Sequence, residues 1–173
     1  MTTSRRLRRI AGLVVGLLVV LASSAGAARM DSGPEHHHLA FGLGHFVAFN
    51  TTTQIVGGDS GCDPTVPTRC AGTFRTVRTY TGDFSGTAYL VGSAVVLSDG
   101  TYQGQDVAQF TGTVKGCGRG TLVILESGIL DPVSAAERGN WKVVAGQGTG
   151  DLAGMSGRGS ARSTAGGGWI RCR

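Results

Sequence analysis

From His45 to Arg171, apolar and polar residues trade places at nearly every step, in runs broken by glycine. A period of two predicts strands, because successive side chains of a strand point to opposite faces. Eight strands follow from the pattern: His45–Val56, Gly72–Tyr80, Phe84–Leu97, Thr101–Val114, Gly120–Leu130, Asn140–Val144, Asp151–Arg162 and Gly167–Arg171. Ser98-Asp99-Gly100 predicts a type I′ hairpin turn, and Gly116-Cys117-Gly118 a second turn. The run Val144–Ser160, VAGQGTGDLAGMSGRGS, reads as a tight glycine turn at Gly146–Gly150 followed by a short strand, Asp151–Met155. Asp59–Cys70 reads as a longer loop pinned by Pro64 and Pro67, and Asp131–Arg138 as a scrap of helix. Short strands joined by tight turns indicate an all-β barrel or sandwich. The glycine density of Val144–Ser160 favours a single antiparallel barrel of about eight strands, since bent strands and hairpin tips need close backbone approach.

The N-terminus has a different texture. Arg5, Arg6, Arg8 and Arg9 precede an apolar or small core, Ile10–Ala22, and Ala25-Gly26-Ala27 fits a small-residue cleavage site. A core that short predicts a cleaved signal peptide over 1–27 rather than a membrane anchor. Residues 28–43 read as a flexible lead-in and 44–173 as one β-barrel domain. The expected location is therefore secreted or extracellular, with no membrane attachment after cleavage.

Cleavage changes the charge picture. The chain has 16 Lys and Arg against 11 Asp and Glu, a formal +5, but four of those arginines leave with residues 1–27. What remains is close to neutral and shows no basic stripe, so no nucleic-acid partner is expected. Arg158, Arg162, Arg171 and Arg173 read as a solvated face. All four cysteines, Cys62, Cys70, Cys117 and Cys172, lie in the exported part, and an even count in an oxidising compartment predicts two disulfides. The pairing Cys62–Cys70 with Cys117–Cys172 is favoured among three possible connectivities. No CxxC pair supports zinc. The tract His36-His37-His38, with His45 nearby, lacks a carboxylate framework beyond Glu35, so no metal site is assigned and no cofactor is expected.

Three segments carry a resemblance. Thr81–Gly86 (TGDFSG), Thr121–Gly128 (TLVILESG) and Val144–Gly157 (VAGQGTGDLAGMSG) are similar, in order and spacing, to segments of a bacterial family known as domain of unknown function 3224. The GTG-x-L-x-G string is also similar to plant allene oxide cyclases and dirigent proteins. The resemblance implies an allene oxide cyclase-like barrel with an interior pocket. The chain departs from the family in its export signal, its four cysteines, its Asp59–Cys70 loop, and Glu126-Ser127 where Gln-His is common. No catalytic residue of the cyclases has a counterpart here, so none is carried over.

Chemistry must then be sought on the barrel's inner face. Glu126 follows Leu122 and Ile124 in the period-2 register and shares their face. Set among aliphatic side chains it would be a candidate acid or base; the favoured reading is a charge leaving the strand for water beside Gly128. In TYQGQDVAQF the glutamines mark one face as solvent, which places Tyr102 and Asp106 inward with Phe110. Asp106 would orient a ligand or, as the favoured alternative, form a hydrogen bond or ion pair with Arg75 or Arg78. Trp141 would stack on a ligand at the mouth or serve as core with its N–H satisfied. Trp169 reads as packing between the last and first strands. No Ser-His-Asp or Cys-His set is present, since no histidine follows His45.

Three functions stay open. The first is a barrel that binds a small hydrophobic or amphipathic molecule through Tyr102, Asp106, Trp141 and Glu126. The second is a cyclase or isomerase using Glu126 or Asp106, with a small lipid-like or polyketide-like substrate. The third is a non-catalytic structural or interaction protein, as a monomer or as a homodimer through a barrel face.

Overall fold

The structure is a computed structural model that describes residues 44–66, 69–134 and 136–173. The expected signal peptide, lead-in and His36–His38 tract lie outside the described residues. Nine strands form one antiparallel sheet: β1 (His45–Cys62), β2 (Cys70–Gly82), β3 (Phe84–Val96), β4 (Tyr102–Val114), β5 (Gly118–Asp131), β6 (Ala136–Val143), β7 (Thr149–Gly150), β8 (Ser156–Arg162) and β9 (Ala165–Arg171). The order is β4-β3-β2-β1-β9-β8-β6-β5-β7, and β4 also pairs with β5, so eight strands close into a ring with β7 attached to β5. No helix among the described residues is long and apolar enough to cross a membrane.

Closure requires a stagger between first and last strand. A row of cross-strand neighbours that starts at Val47 runs through Gly168, Gly159, Trp141, Glu126, Asp106, Gly92 and Phe74, and returns to β1 at Gly58, eleven residues on. One of those eleven steps is a bulge between Ile55 and Gly57. The tilt carries part of each strand past its neighbours: β1 pairs with β9 only over His45–Asn50, while its remainder continues against β2 alone.

The alternation anticipated on β4 is present. Tyr102, Gly104, Asp106, Ala108 and Phe110 form the more buried face, and Gln103, Gln105 and Gln109 are exposed. The same two-step pattern sorts the inner face into two halves. Its lower half is core: Phe49, Tyr80, Phe84, Phe110 and Trp141 pack edge-on and tilted, with ring centroids 5.2–6.3 Å apart. Each such ring contributes about 1.5–3 kcal/mol by leaving water. The upper half carries small, half-buried inner residues: Gly72, Gly92, Ala94, Gly104, Gly128 and Gly139.

Local differences from the sequence reading have physical causes. β1 and β2 run on to the Cys62–Cys70 pair, so the loop expected from Asp59 shrinks to 63–69. The strand expected at Asp151–Met155 is a turn, because Gly150 and Gly154 take φ of 62° and 77° and the Asp151 carboxylate accepts the Arg119 N–H. That turn drives Leu152 and Met155 into the core. The hairpin after β3 is a type I turn followed by Gly100 at φ 86°: only the glycine is left-handed, whereas type I′ would need Asp99 there too. The helical scrap at 131–138 is a turn capped by Asp131, whose carboxylate accepts from Val133 N–H and Ser134 O–H, and β6 has begun by Ala136. The two disulfides join Cys62 to Cys70 and Cys117 to Cys172, as favoured from the sequence. Disulfides are consistent with a secreted or periplasmic protein.

Candidate functional site

Between the two halves, the inner face turns polar. On β2 the alternation places Phe74, Thr76, Arg78 and Tyr80 inward. Arg78 is held at every turn. Its Nε–H donates to Thr53 Oγ1 at 3.2 Å, and its Nη1 donates to Glu126 Oε2 and, at 3.5 Å, to the Tyr80 hydroxyl. Tyr80 in turn donates to Glu126 Oε1 at 3.2 Å. The Arg78 and Glu126 side chains are only 12% and 15% exposed, so the ion pair belongs to the interior. Glu126 thus does not take the path to water favoured from the sequence; the arginine three strands away around the ring holds it on the Leu122–Ile124 face. Burial pulls the guanidinium pKa down, but the Glu126 and Tyr80 charges and their hydrogen bonds together outweigh it, and the net shift is upward. Burial and the same carboxylate push the Tyr80 phenol well above its usual range.

Asp106 lies directly across from Glu126 in the β4–β5 ladder. The expected ion pair with Arg75 or Arg78 is absent: Arg78 is taken by Glu126, and Arg75 points outward over Gly57. Asp106 Oδ1 is buried and accepts no hydrogen bond. Desolvation, then the Glu126 charge, push its carboxyl up to about 7, with Arg78 opposing. Gly92 lies between Phe74 and Asp106, where a side chain would meet both the Phe74 ring and Asp106 Cβ. Glu137 stands near the rim of the same face; desolvation raises its pKa and Arg78 opposes, although its exposed surface lets water screen it.

Two more buried polar atoms have no partner. Thr76 Oγ1 belongs to a residue 5% exposed, and Trp141 Nε1 to one 4% exposed. Trp141 is core, as one sequence reading held, but its N–H is not satisfied. Its indole lies over Gly159 and Gly168, where an added Cβ would come within 2.7 Å of the ring. Tyr102 faces inward at the rim, opposite Val96 and Leu130, and makes no hydrogen bond or ring contact. Trp169 does bridge β9 and β1, but on the outer face, edge-on to Phe46 at 6.1 Å and 62% exposed. Among the described residues no group of His, Cys, Asp and Glu could hold a metal ion.

The interior therefore brings Asp106, Glu126 and Trp141 together on one row and leaves Tyr102 above them. Sequence reasoning missed Tyr80, Thr76 and the role of Arg78. The spacing Phe74, Thr76, Arg78, Tyr80, with aromatics at both ends, was the signal available for that inner face. Two concavities lie elsewhere, over outer-face residues. One of about 400 Å³ follows Gln103, Ser127, Arg138 and Arg162. The other, of about 350 Å³, lies beside Trp169 and Arg158. Both are open surface hollows, and neither includes Asp106 or Glu126.

A family model described as a protein of unknown function, DUF3224, matches residues 63–170, most of the ring. The chain belongs to the DUF3224 family. The crystal structure of a protein of unknown function from that family, from Shewanella oneidensis MR-1, superposes with a TM-score of 0.59 at 18% identity, covering 75% of this chain and 96% of that one. At that identity the likeness concerns the fold. No curated protein matches the chain.

Proposed function

We propose that the ring is an allene oxide cyclase-like barrel, exported after loss of residues 1–27, that binds a small hydrophobic or amphipathic molecule in its upper half. The observation that carries this reading is the inner face itself. A polar group, Asp106 Oδ1, is buried without a partner above an aromatic floor and below inner positions occupied by glycine and alanine. Ligand sites combine mostly apolar walls with a few placed polar groups, and buried polar atoms are rarely left unmade. The test is uptake of an environment-sensitive apolar dye. Wild-type protein is expected to bind one equivalent, and Ala94→Trp, which fills the upper interior between Gly72 and Gly104, is expected to abolish uptake. Equal uptake by both proteins would place binding on the outer surface.

One observation favours the second reading, an isomerase. A carboxyl near 7 beside an ion-paired carboxylate is the arrangement of a group that gives and takes protons at neutral pH. Deuterium exchange at the carbon next to the carbonyl of a bound ketone, lost in Asp106→Asn, would support it. Exchange unchanged in that variant would reject it.

A further inference from the structure

We propose that the polar end of the ligand is a protonated amine, held by the Asp106 carboxylate. This rests on the interior-binding reading above and narrows it to a class of ligand.

Charge on the inner face is the first argument. The ionisable groups that face Asp106 are Arg78 and Tyr80 from β2, Glu126 from β5 and Glu137 from β6; β3, between β2 and β4, presents Gly92, Leu90 and Ala94. Three carboxyls thus share one guanidinium. That guanidinium is already neutralised by Glu126 and further engaged by Thr53 and Tyr80. A carboxylate head would meet two acidic side chains at close range, and like charges in a poorly hydrated site repel strongly. An ammonium head meets the opposite field.

Hydrogen bonding is the second argument and is independent of the first. Asp106 Oδ1 accepts nothing, and Thr76 Oγ1, one row below on the same face, has no partner while its residue is 5% exposed. An ammonium has three donors and no acceptor, so it matches an inner face whose unpartnered oxygens lack donors. The tip of the Phe74 ring reaches over Gly92 toward Asp106 and gives the amine's hydrocarbon chain an apolar wall.

The probes are octylamine, octanol and octanoate, measured by isothermal titration on the purified protein. At pH 8 octylammonium is expected to bind at least about tenfold more tightly than octanol, with octanoate weakest. The amine stays charged across the range, whereas Asp106 takes up a proton as pH falls through about 7. At pH 5.5 octylammonium binding is therefore expected to weaken by about thirtyfold, and octanol binding to hold. Asp106→Asn should lose the preference for the amine over octanol and its pH dependence. The wild-type pH dependence stands as a second measurement if that variant does not fold. Octanoate binding tightest, or an amine preference that survives in Asp106→Asn or does not change with pH, would overturn the head-group assignment while leaving interior binding intact. Binding of none of the three would overturn the interior reading itself.

Discussion

Asp106 and Glu126 stand directly opposite each other on β4 and β5, both facing inward, and only Glu126 has an arginine. Their neighbourhoods separate two carboxyls that the sequence alone presents as alike. The folded pKa of Asp106, about 7, lies above its ordinary value of 3.8. A carboxyl raised on folding favours the native state fully below its unfolded pKa and loses that contribution as pH rises through the folded one. Wild-type stability attributable to Asp106 should therefore fall between about pH 4 and pH 7 and level off above. Asp106→Asn is expected to be more stable than wild type at pH 8 by about 2–4 kcal/mol, the full shift less what solvent screening removes, with the difference vanishing near pH 4. Urea unfolding of both proteins across that range checks it; a difference that grows toward acid would contradict the assignment.

Among the described residues, Arg78 is the only cation that pairs with Glu126. Removing one partner of a largely buried ion pair leaves an unpaired charge, at a cost of about 3–5 kcal/mol. Arg78→Met should therefore destabilise strongly. The double variant Arg78→Met, Glu126→Leu should recover most of the loss, because an apolar pair needs no hydration. A denaturant-unfolding cycle reads the coupling. Additive losses would mean that the two side chains do not depend on each other.

The glycines of β8 and β9 make room for Trp141. An added methyl group at Gly159 would collide with the Gly167 carbonyl oxygen and lie 2.7 Å from the indole. Overpacking of this kind costs about 1–3 kcal/mol. Gly159→Ala is expected to destabilise by that amount and to change the near-ultraviolet circular dichroism of the buried tryptophan. Gly146→Ala offers a control without contacts, since nothing lies near its added Cβ, although its φ of 76° carries its own strain.

The two disulfides should differ in worth. Cys117–Cys172 spans 55 residues and ties the β4–β5 turn to the chain's end, while Cys62–Cys70 spans 8 at the tip of the β1–β2 arm. Loop-closure entropy gives about 4 and about 3 kcal/mol respectively. Cys117→Ser with Cys172→Ser should lower the melting temperature more than Cys62→Ser with Cys70→Ser. The reverse order would mean that the arm, not the ring closure, limits stability.

Much of this architecture is legible in the chain. Period-2 alternation gives the inward set of β4 and the shared face of Leu122, Ile124 and Glu126, because a strand's two faces are fixed by counting. The disulfide pairing favoured among three, a short loop closed at Cys62–Cys70 and a turn tied to the last strand at Cys117–Cys172, is the one present. What alternation cannot supply is partnership across the ring. Arg78 meets Glu126 rather than Asp106 because the stagger of a closed sheet decides which inner residues converge, and stagger depends on the Ile55–Gly57 bulge and on every register at once. Glycine misleads in the other direction. Asp151–Met155, with Gly154, reads as a strand, yet the positive φ of Gly150 and Gly154 reverses the chain and delivers Leu152 to the core. Trp169 sits on the expected strand pair but on the outer face, since Phe46, its neighbour in β1, alternates outward with it.

Native mass spectrometry of the protein isolated from its natural producer tests the central claim, an interior that takes up a small molecule, most directly. The account predicts one retained molecule per chain on the wild type, carrying an amine, and none on Ala94→Trp. A bare wild-type mass that stays bare after incubation with octylamine, octanol and octanoate would contradict it.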